Sequence, residues 1–189
     1  MLTKEQKKKA KILAKYIIEI ELEKNEDKIN KKIKEIKEIE GELNKFEAGV
    51  FVTLKIDKKL RGCIGFVEKR PLGKAIKEAA KFSAFYDPRF NPLTKEEFEN
   101  IKIEITLLSE PKEIKNKEIQ NIIKEIEIGK HGLMIKSNEG SGLLLPQVAI
   151  QHNFNPIEFL EATCIKAGLS KNSWLKDDVK IFKFEGIWF

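Results

Sequence analysis

The sequence predicts an α+β fold with a mainly antiparallel sheet and flanking helices. Three observations carry this. Two amphipathic helical patterns open the chain, with apolar residues at helical spacing and charges of both signs between them. Strand-like runs then alternate irregularly with short helical patterns, so no regular βαβ rhythm builds a parallel sheet. The segment Asn138-Glu139-Gly140-Ser141 joins two apolar runs and carries the chemistry of a hairpin turn.

The elements follow in order. Over 3–25, Ile12, Leu13, Tyr16, Ile17 and Ile20 recur on one face of a helix. Over 27–46, Ile29, Ile33, Ile36, Leu43 and Phe46 form a second stripe, suited to stacking on the first helix or on a partner. The run 50–56 is rich in β-branched and aromatic residues and reads as a buried strand. A short Asp57-Lys58-Lys59 turn leads to Leu60-Arg61-Gly62-Cys63-Ile64-Gly65, whose two glycines suit a tight bend or a close contact. Residues 72–84 form a helix that stops before Asp87-Pro88, because proline disfavours the α conformation in the residue preceding it. The stiff loop 87–92 follows, and Thr94 with Glu97 makes a capping box for a short helix. Over 101–108, Ile101, Ile103, Ile105 and Leu107 alternate with Lys102, Glu104 and Thr106, the pattern of a half-buried strand with a solvated polar face. Residues 116–126 read as a helix and 133–137 with 142–145 as a hairpin. Asn155-Pro156-Ile157-Glu158 starts a helix that Gly168 stops. The run 179–188 closes the chain as a strand.

At 189 residues the chain is one domain, or two small lobes folded as one unit. A chain of this size buries roughly 70% of its unfolded surface and needs no disulfide or metal staple. No apolar run approaches the ~20 residues of a membrane span, and no signal peptide is visible, so the cytoplasm is the expected location. The formal charge of +6 raises the question of nucleic acid. Lysine supplies nearly all of it, acidic residues interleave with the lysines, and no cluster of basic residues with stacking aromatics stands out along the chain. The Lys-, Glu- and Ile-heavy usage looks instead like a thermophile's surface ion-pair networks.

Few residues have a case for chemistry. In an extended segment Arg61 and Cys63 share a face, and a guanidinium beside a thiol favours the thiolate. The competing reading is a small buried structural cysteine. A nucleophilic thiol needs a histidine, and His131, between two glycines, is a better partner than the surface-loop residue His152. Cys164 belongs to an apolar helix face. Asp87 and Arg89 flank a proline, so they share a side and either bind a polar ligand or tie the loop down by a salt bridge. Gln147 suits substrate orientation or a loop-closing hydrogen bond. Phosphate-loop, dinucleotide and zinc-protease motifs are missing, and two histidines and two cysteines without C-x-x-C spacing build no zinc site. No metal or cofactor is expected.

Leu60-Arg61-Gly62-Cys63-Ile64-Gly65 resembles the signature hexapeptide of the AMMECR1 domain family, archaeal AMMECR1-like proteins in particular. Further blocks match in order: 49–54, 84–90, 129–133, 142–148 and 166–169. The resemblance covers 46–189, while 1–45 matches as a generic helical segment, so 1–189 reads as one AMMECR1-type domain. It implies two α+β lobes, the larger containing both termini and the smaller inserted, with a cleft between them. The candidate site consists of Cys63 and His131 for catalysis and Arg61, Gly62, Gly65, Asp87, Arg89 and Gln147 for ligand binding. The expected function is to bind or modify a small polar or nucleotide-like group in that cleft, in a modification pathway shared with Memo-type and radical-SAM proteins. The alternative is a non-catalytic adaptor that takes a protein or RNA partner on the same surface. The chain departs from the family pattern at Gln151, where an acidic residue is common, and at Phe154-Asn155, where Trp-Asp is common. The lost carboxylate weakens any acid–base role for that loop.

Overall fold

A computed structural model describes residues 2–116 and 118–189. The chain divides into two compact units, one running up to Leu108 and including Ile187–Phe189, the other Ser109–Gly186. Every strand pairing described is antiparallel, as the irregular element order predicts.

In the first unit, α1 (Lys4–Leu22) starts at Thr3, whose side chain forms a capping box with Gln6. Asn25 caps α2 (Glu26–Leu43). The stripe read on α2 packs within this chain: Ile36 and Leu43 join the same core as Leu13, Ile17 and Ile18 of α1. Strand β1 (Glu47–Ile56) turns through Asp57 and Lys58, both at positive φ (49° and 66°), into β2 (Lys59–Pro71). Two left-handed residues match the twist of a two-residue hairpin, although neither is the glycine such turns favour. Helix α3 (Leu72–Phe85) lays Ala75, Ile76, Ala79 and Ala80 on the sheet, α4 (Lys95–Phe98) is the expected capped turn, and β3 is Lys102–Leu108. The strand order is β2-β1-β3, so β2 is an edge. Val50, Val52, Leu54 and Ile105 fill the helix-facing side. Phe189 exchanges two backbone hydrogen bonds with Ile105 beside them.

The opposite face of β3 corrects the sequence reading. Thr106 is fully buried and the Glu104 side chain is only 22% exposed, so the face read as solvated is largely covered.

In the second unit β5 (His131–Lys136) pairs with β6 (Ser141–Leu144) and with β7 (Lys180–Trp188), which also pairs with the short β4 (Lys112–Glu113). Helix α5 keeps only Ile119–Lys124 of the predicted span, α6 (Pro146–Gln151) was not foreseen, and α7 is Pro156–Lys166. Asn155 caps α7 with Glu158, and Gly168 ends it at φ 77°. A separate core forms around Phe159, Leu160, Leu133, Ile135 and Trp174. Cys164 lies in that core, fully buried, as its helix face predicts. Among the described residues no helix is long and apolar enough to cross a membrane.

Candidate functional site

The hexapeptide 60–65 is neither a bend nor a loop: it runs extended inside β2. Its glycines serve close contact. A Cβ on Gly62 would stand 2.0 Å from the Ser83 carbonyl oxygen of α3, and one on Gly65 would stand 2.2 Å from the Val50 carbonyl oxygen of β1. Helix and strand therefore press against β2 on both sides of Cys63 at a distance only glycine allows.

Between the pairs Leu54–Gly62 and Lys55–Leu60 the register slips, which leaves Arg61 as the extra residue of a bulge. A bulge re-aims a side chain. Arg61 turns to Glu97, donating from Nε and Nη2 to the two carboxylate oxygens at 2.8 Å each, and Nη2 also donates to the Asn91 carbonyl at 2.8 Å. Its Nη1 is buried without a hydrogen-bond partner, in a guanidinium whose carbon stands 5.6 Å from the Phe90 ring centre. Attraction to the ring offsets part of that cost. Arg61 is thus a fixed strut with its charge matched, and the expectation that it attends Cys63 is corrected.

The guanidinium at Cys63 belongs to Arg89. Its Nη2 donates to the Cys63 carbonyl at 3.2 Å, while Nε and Nη2 grip Asp87 at 2.9 and 2.7 Å. Asp87 in turn accepts the Cys63 N–H at 2.9 Å and the Arg89 N–H at 3.2 Å. On an edge strand these two main-chain groups of Cys63 would otherwise face outward. The next peptide is held from the other side: the Ile64 N–H donates to Ser83 Oγ at 2.8 Å, and that hydroxyl donates to the Val52 carbonyl at 2.8 Å. Ser83 bridges β1 and β2 from within α3. Burial pushes the Asp87 carboxyl up, but hydrogen bonds from Arg89 and from the Cys63 amide outweigh it and hold the group below the ordinary carboxylate range. The hydrogen bond to Asp87 holds Arg89 above its usual value against the opposing effect of burial, with a smaller contribution from the Cys63 side chain.

The Cys63 thiol itself is half-buried, with Sγ 3.3 Å from Thr53 Oγ1. Thr53 is paired with Cys63 on one side and with Glu104 on the other, and Glu104 meets Lys55 at 3.1 Å. Thiol, hydroxyl, carboxylate and ammonium thus lie on one sheet face, opposite α3.

His131 and Gln147 lie in the second unit. The imidazole opens β5, where Nδ1 accepts the Glu127 N–H at 3.0 Å, which puts the ring proton on Nε2. Burial, reinforced by Lys183 and Lys130, holds it below the ordinary histidine value, so it is neutral at pH 7. It lines a cavity of about 390 Å³ with Lys112, Lys183 and Glu185. Gln147 sits in α6 with 7% of its surface exposed. His152 is exposed and stacks on Phe154 at 5.2 Å, matching its surface-loop reading. Among the described residues no three His, Cys, Asp or Glu side chains converge to hold a metal ion.

Three residues of this arrangement were missed by sequence reasoning. Ser83 gave a signal, as the polar residue on a face of Ala79, Ala80 and Ala84. Glu97 was assigned only to its capping box, although it also holds Arg61. Thr53 gave none, because threonine is ordinary in a strand.

A family model described as AMMECR1 matches residues 11–189. A protein of Aquifex aeolicus is 47% identical over 158 residues, spanning 81% of this chain and 80% of the relative. Protein NEQ441 of Nanoarchaeum equitans is 42% identical over 176 residues, spanning 92% and 94%. The crystal structure of the uncharacterized protein PH0010 from Pyrococcus horikoshii is similar at a TM-score of 0.72 and 40% identity, over 75% of this chain and 72% of that one.

Proposed function

The chain belongs to the AMMECR1 family, and on that premise we propose that it is a cytoplasmic protein that binds or modifies a small polar or nucleotide-like group at the β2 segment around Arg61 and Cys63, as a step in a modification pathway. One observation carries this reading. Ser83, Asp87 and Arg89 hold two successive peptide units at Cys63, and Asp87 does so as a carboxylate only 3% exposed. Burying a carboxylate costs several kcal/mol before its partners repay it. Pairing to β1 alone would keep β2 extended, so the added clamp acts on where the Cys63 side chain stands. Fixing a reactive group in this way is how a site gains from preorganisation. Of the two candidate anion contacts, Arg89 fits better. It keeps 40% of its side chain exposed, whereas Arg61 keeps 12% and has its charge matched by Glu97.

The test is alkylation of the folded protein by iodoacetamide, followed by mass spectrometry across pH. Cys164 is the internal control, since it is fully buried and burial pushes its thiol up. The expected result is labelling of Cys63 in the native state with a midpoint below the ordinary thiol value of about 8.5, and slower labelling in Arg89→Gln. Cysteines that both stay unreactive until the protein unfolds would end the nucleophile reading.

A second reading, a non-catalytic adaptor for a protein or RNA partner, draws on Tyr86 and Leu60, which flank the same residues at 63% and 43% exposure. It is favoured if Cys63→Ser leaves the protein's cellular role intact while Tyr86→Ala abolishes it.

A further inference from the structure

Lys7, Lys11 and Lys15 recur every fourth residue of α1, so they form one stripe that rises about 6 Å per step. Four lysines on the helices of this unit meet a carboxylate on a neighbouring helix: Lys9 with Glu42, Lys32 with Glu19, Lys77 with Glu40, Lys81 with Glu21. Among the described residues the three stripe lysines have no carboxylate within 4.0 Å. Two of them lie over rings instead, Lys7 Nζ at 5.3 Å from the Phe189 centre and Lys15 Nζ at 5.9 Å from that of Phe98. Like charges at this spacing repel and weaken the helix that carries them.

Beside the stripe runs a groove of about 430 Å³. Its floor is Ile12, Phe98, Ile101 and Ile103, all half-buried, and Lys11, Lys15 and the single acidic residue Glu99 line it as well. The floor residues Phe98, Ile101 and Ile103 pack against the core from its margin, leaving an apolar strip next to a row of unneutralised ammonium groups.

We propose that this groove is a docking surface for an acidic amphipathic helix of a partner protein. The partner would carry carboxylates at i, i+4 and i+8, which repeat at the same rise as the lysines, flanked by aliphatic side chains that cover the floor. The site is separate from the Cys63 region and does not depend on the function assigned there. A nucleic acid fits less well: the floor is mostly aliphatic, and each nearby ring already has an ammonium group over it.

The test uses the full chain and a fluorescein-labelled synthetic helix of about four turns, with glutamates at i, i+4 and i+8 beside a leucine stripe. Binding is read by anisotropy, against a peptide of the same composition in scrambled order. The expected result is saturable binding that weakens about tenfold in Lys11→Glu/Lys15→Glu and again on raising salt past about 0.5 M, where charges are screened within a few ångströms. Ile101→Ser should weaken it without altering the salt dependence, which separates floor from stripe. Circular dichroism checks that each variant is folded, and Lys7→Gln serves as a milder variant of the same stripe. The proposal is overturned by equal binding of the scrambled peptide, by full binding to the charge-reversed variant, or by no binding. It is also overturned if a single-stranded RNA or vesicles of anionic phosphatidylglycerol bind the wild type more tightly than the helix does.

Discussion

At the scale of single residues, Asp87 has the most demanding position. It is buried, ionised and shared between an arginine and the main chain of Cys63. Asp87→Asn keeps an acceptor for the Cys63 N–H but removes the charge that Arg89 is set against. Because Arg89 is part-exposed, water recovers some of the loss, and the expected destabilisation is about 2 kcal/mol by urea denaturation at neutral pH. The pH dependence has a definite sign. The folded value of Asp87 lies below the ordinary one, so its contribution is complete above the unfolded value of about 3.9 and is lost as pH falls through the folded value. Stability of the wild type should therefore fall on acidification below about pH 4, and that limb should be shallower in Asp87→Asn. It should not vanish, because the hydrogen bond from Arg61 holds Glu97 below its ordinary value too. An unchanged acid limb in the variant would mean that the clamp carries no net charge coupling. The sequence made Asp87 and Arg89 legible as a pair, since the intervening proline puts them on one side. Their common target was not legible, because nothing local to 87–89 names the Cys63 peptide as what they hold.

At the scale of elements, the contact of α3 with β2 depends on a missing side chain. Gly62→Ala places a methyl group 2.0 Å from a helix carbonyl oxygen, so helix or strand must move, and Ser83 with it. Destabilisation of about 3 kcal/mol is expected, with faster alkylation of Cys164 as its buried surroundings open only if the damage spreads beyond the first unit. Gly41 is the contrasting case: it lies inside α2 with nothing within 4 Å of an added Cβ. Gly41→Ala should stabilise by about 0.5–1 kcal/mol, since glycine in a helix interior carries an entropic penalty and no contact here opposes its relief. Thermal unfolding of the two variants side by side checks both signs, and a neutral Gly62→Ala would show that the approach of α3 to β2 is not rigid. Elements were legible where the signal is local. Thr94 and Asn155 cap their helices as the sequence suggests, whereas Asn25, read as the end of the first helix, caps the second. Segment 60–65 was left open between a tight bend and a close contact, because both need glycine, and the structure shows the close contact within a strand. The α1 lysines were read as one face of an ordinary amphipathic helix. Only the fold shows that Phe98 and Phe189 come to lie beneath them.

At the scale of the molecule, the first unit is assembled from distant parts of the chain, for residues 187–189 return to it after the whole second unit has been traversed. No pattern in 179–188 announced this, because a strand rich in Ile, Phe and Trp has many apolar surfaces on which to end, and pairing partners are not encoded locally. The return has measurable content. Phe189 exchanges backbone hydrogen bonds with Ile105 at 3.0 and 3.1 Å, packs its ring against the core of the unit, and lies under Lys7. Two net hydrogen bonds at about 1 kcal/mol each and a partly buried aromatic ring at about 1–2 kcal/mol suggest a loss of about 3 kcal/mol when 187–189 are removed. Phe189→Ala should lose only the ring's share, because the backbone pairing remains. Urea denaturation of the three proteins distinguishes these contributions. If truncation and point substitution cost the same, the main-chain pairing adds nothing and the ring alone holds the end in place. If neither costs anything, Ile105 is held by β1 alone, and the floor of the lysine groove, to which Ile103 of the same strand contributes, stands without help from the end of the chain.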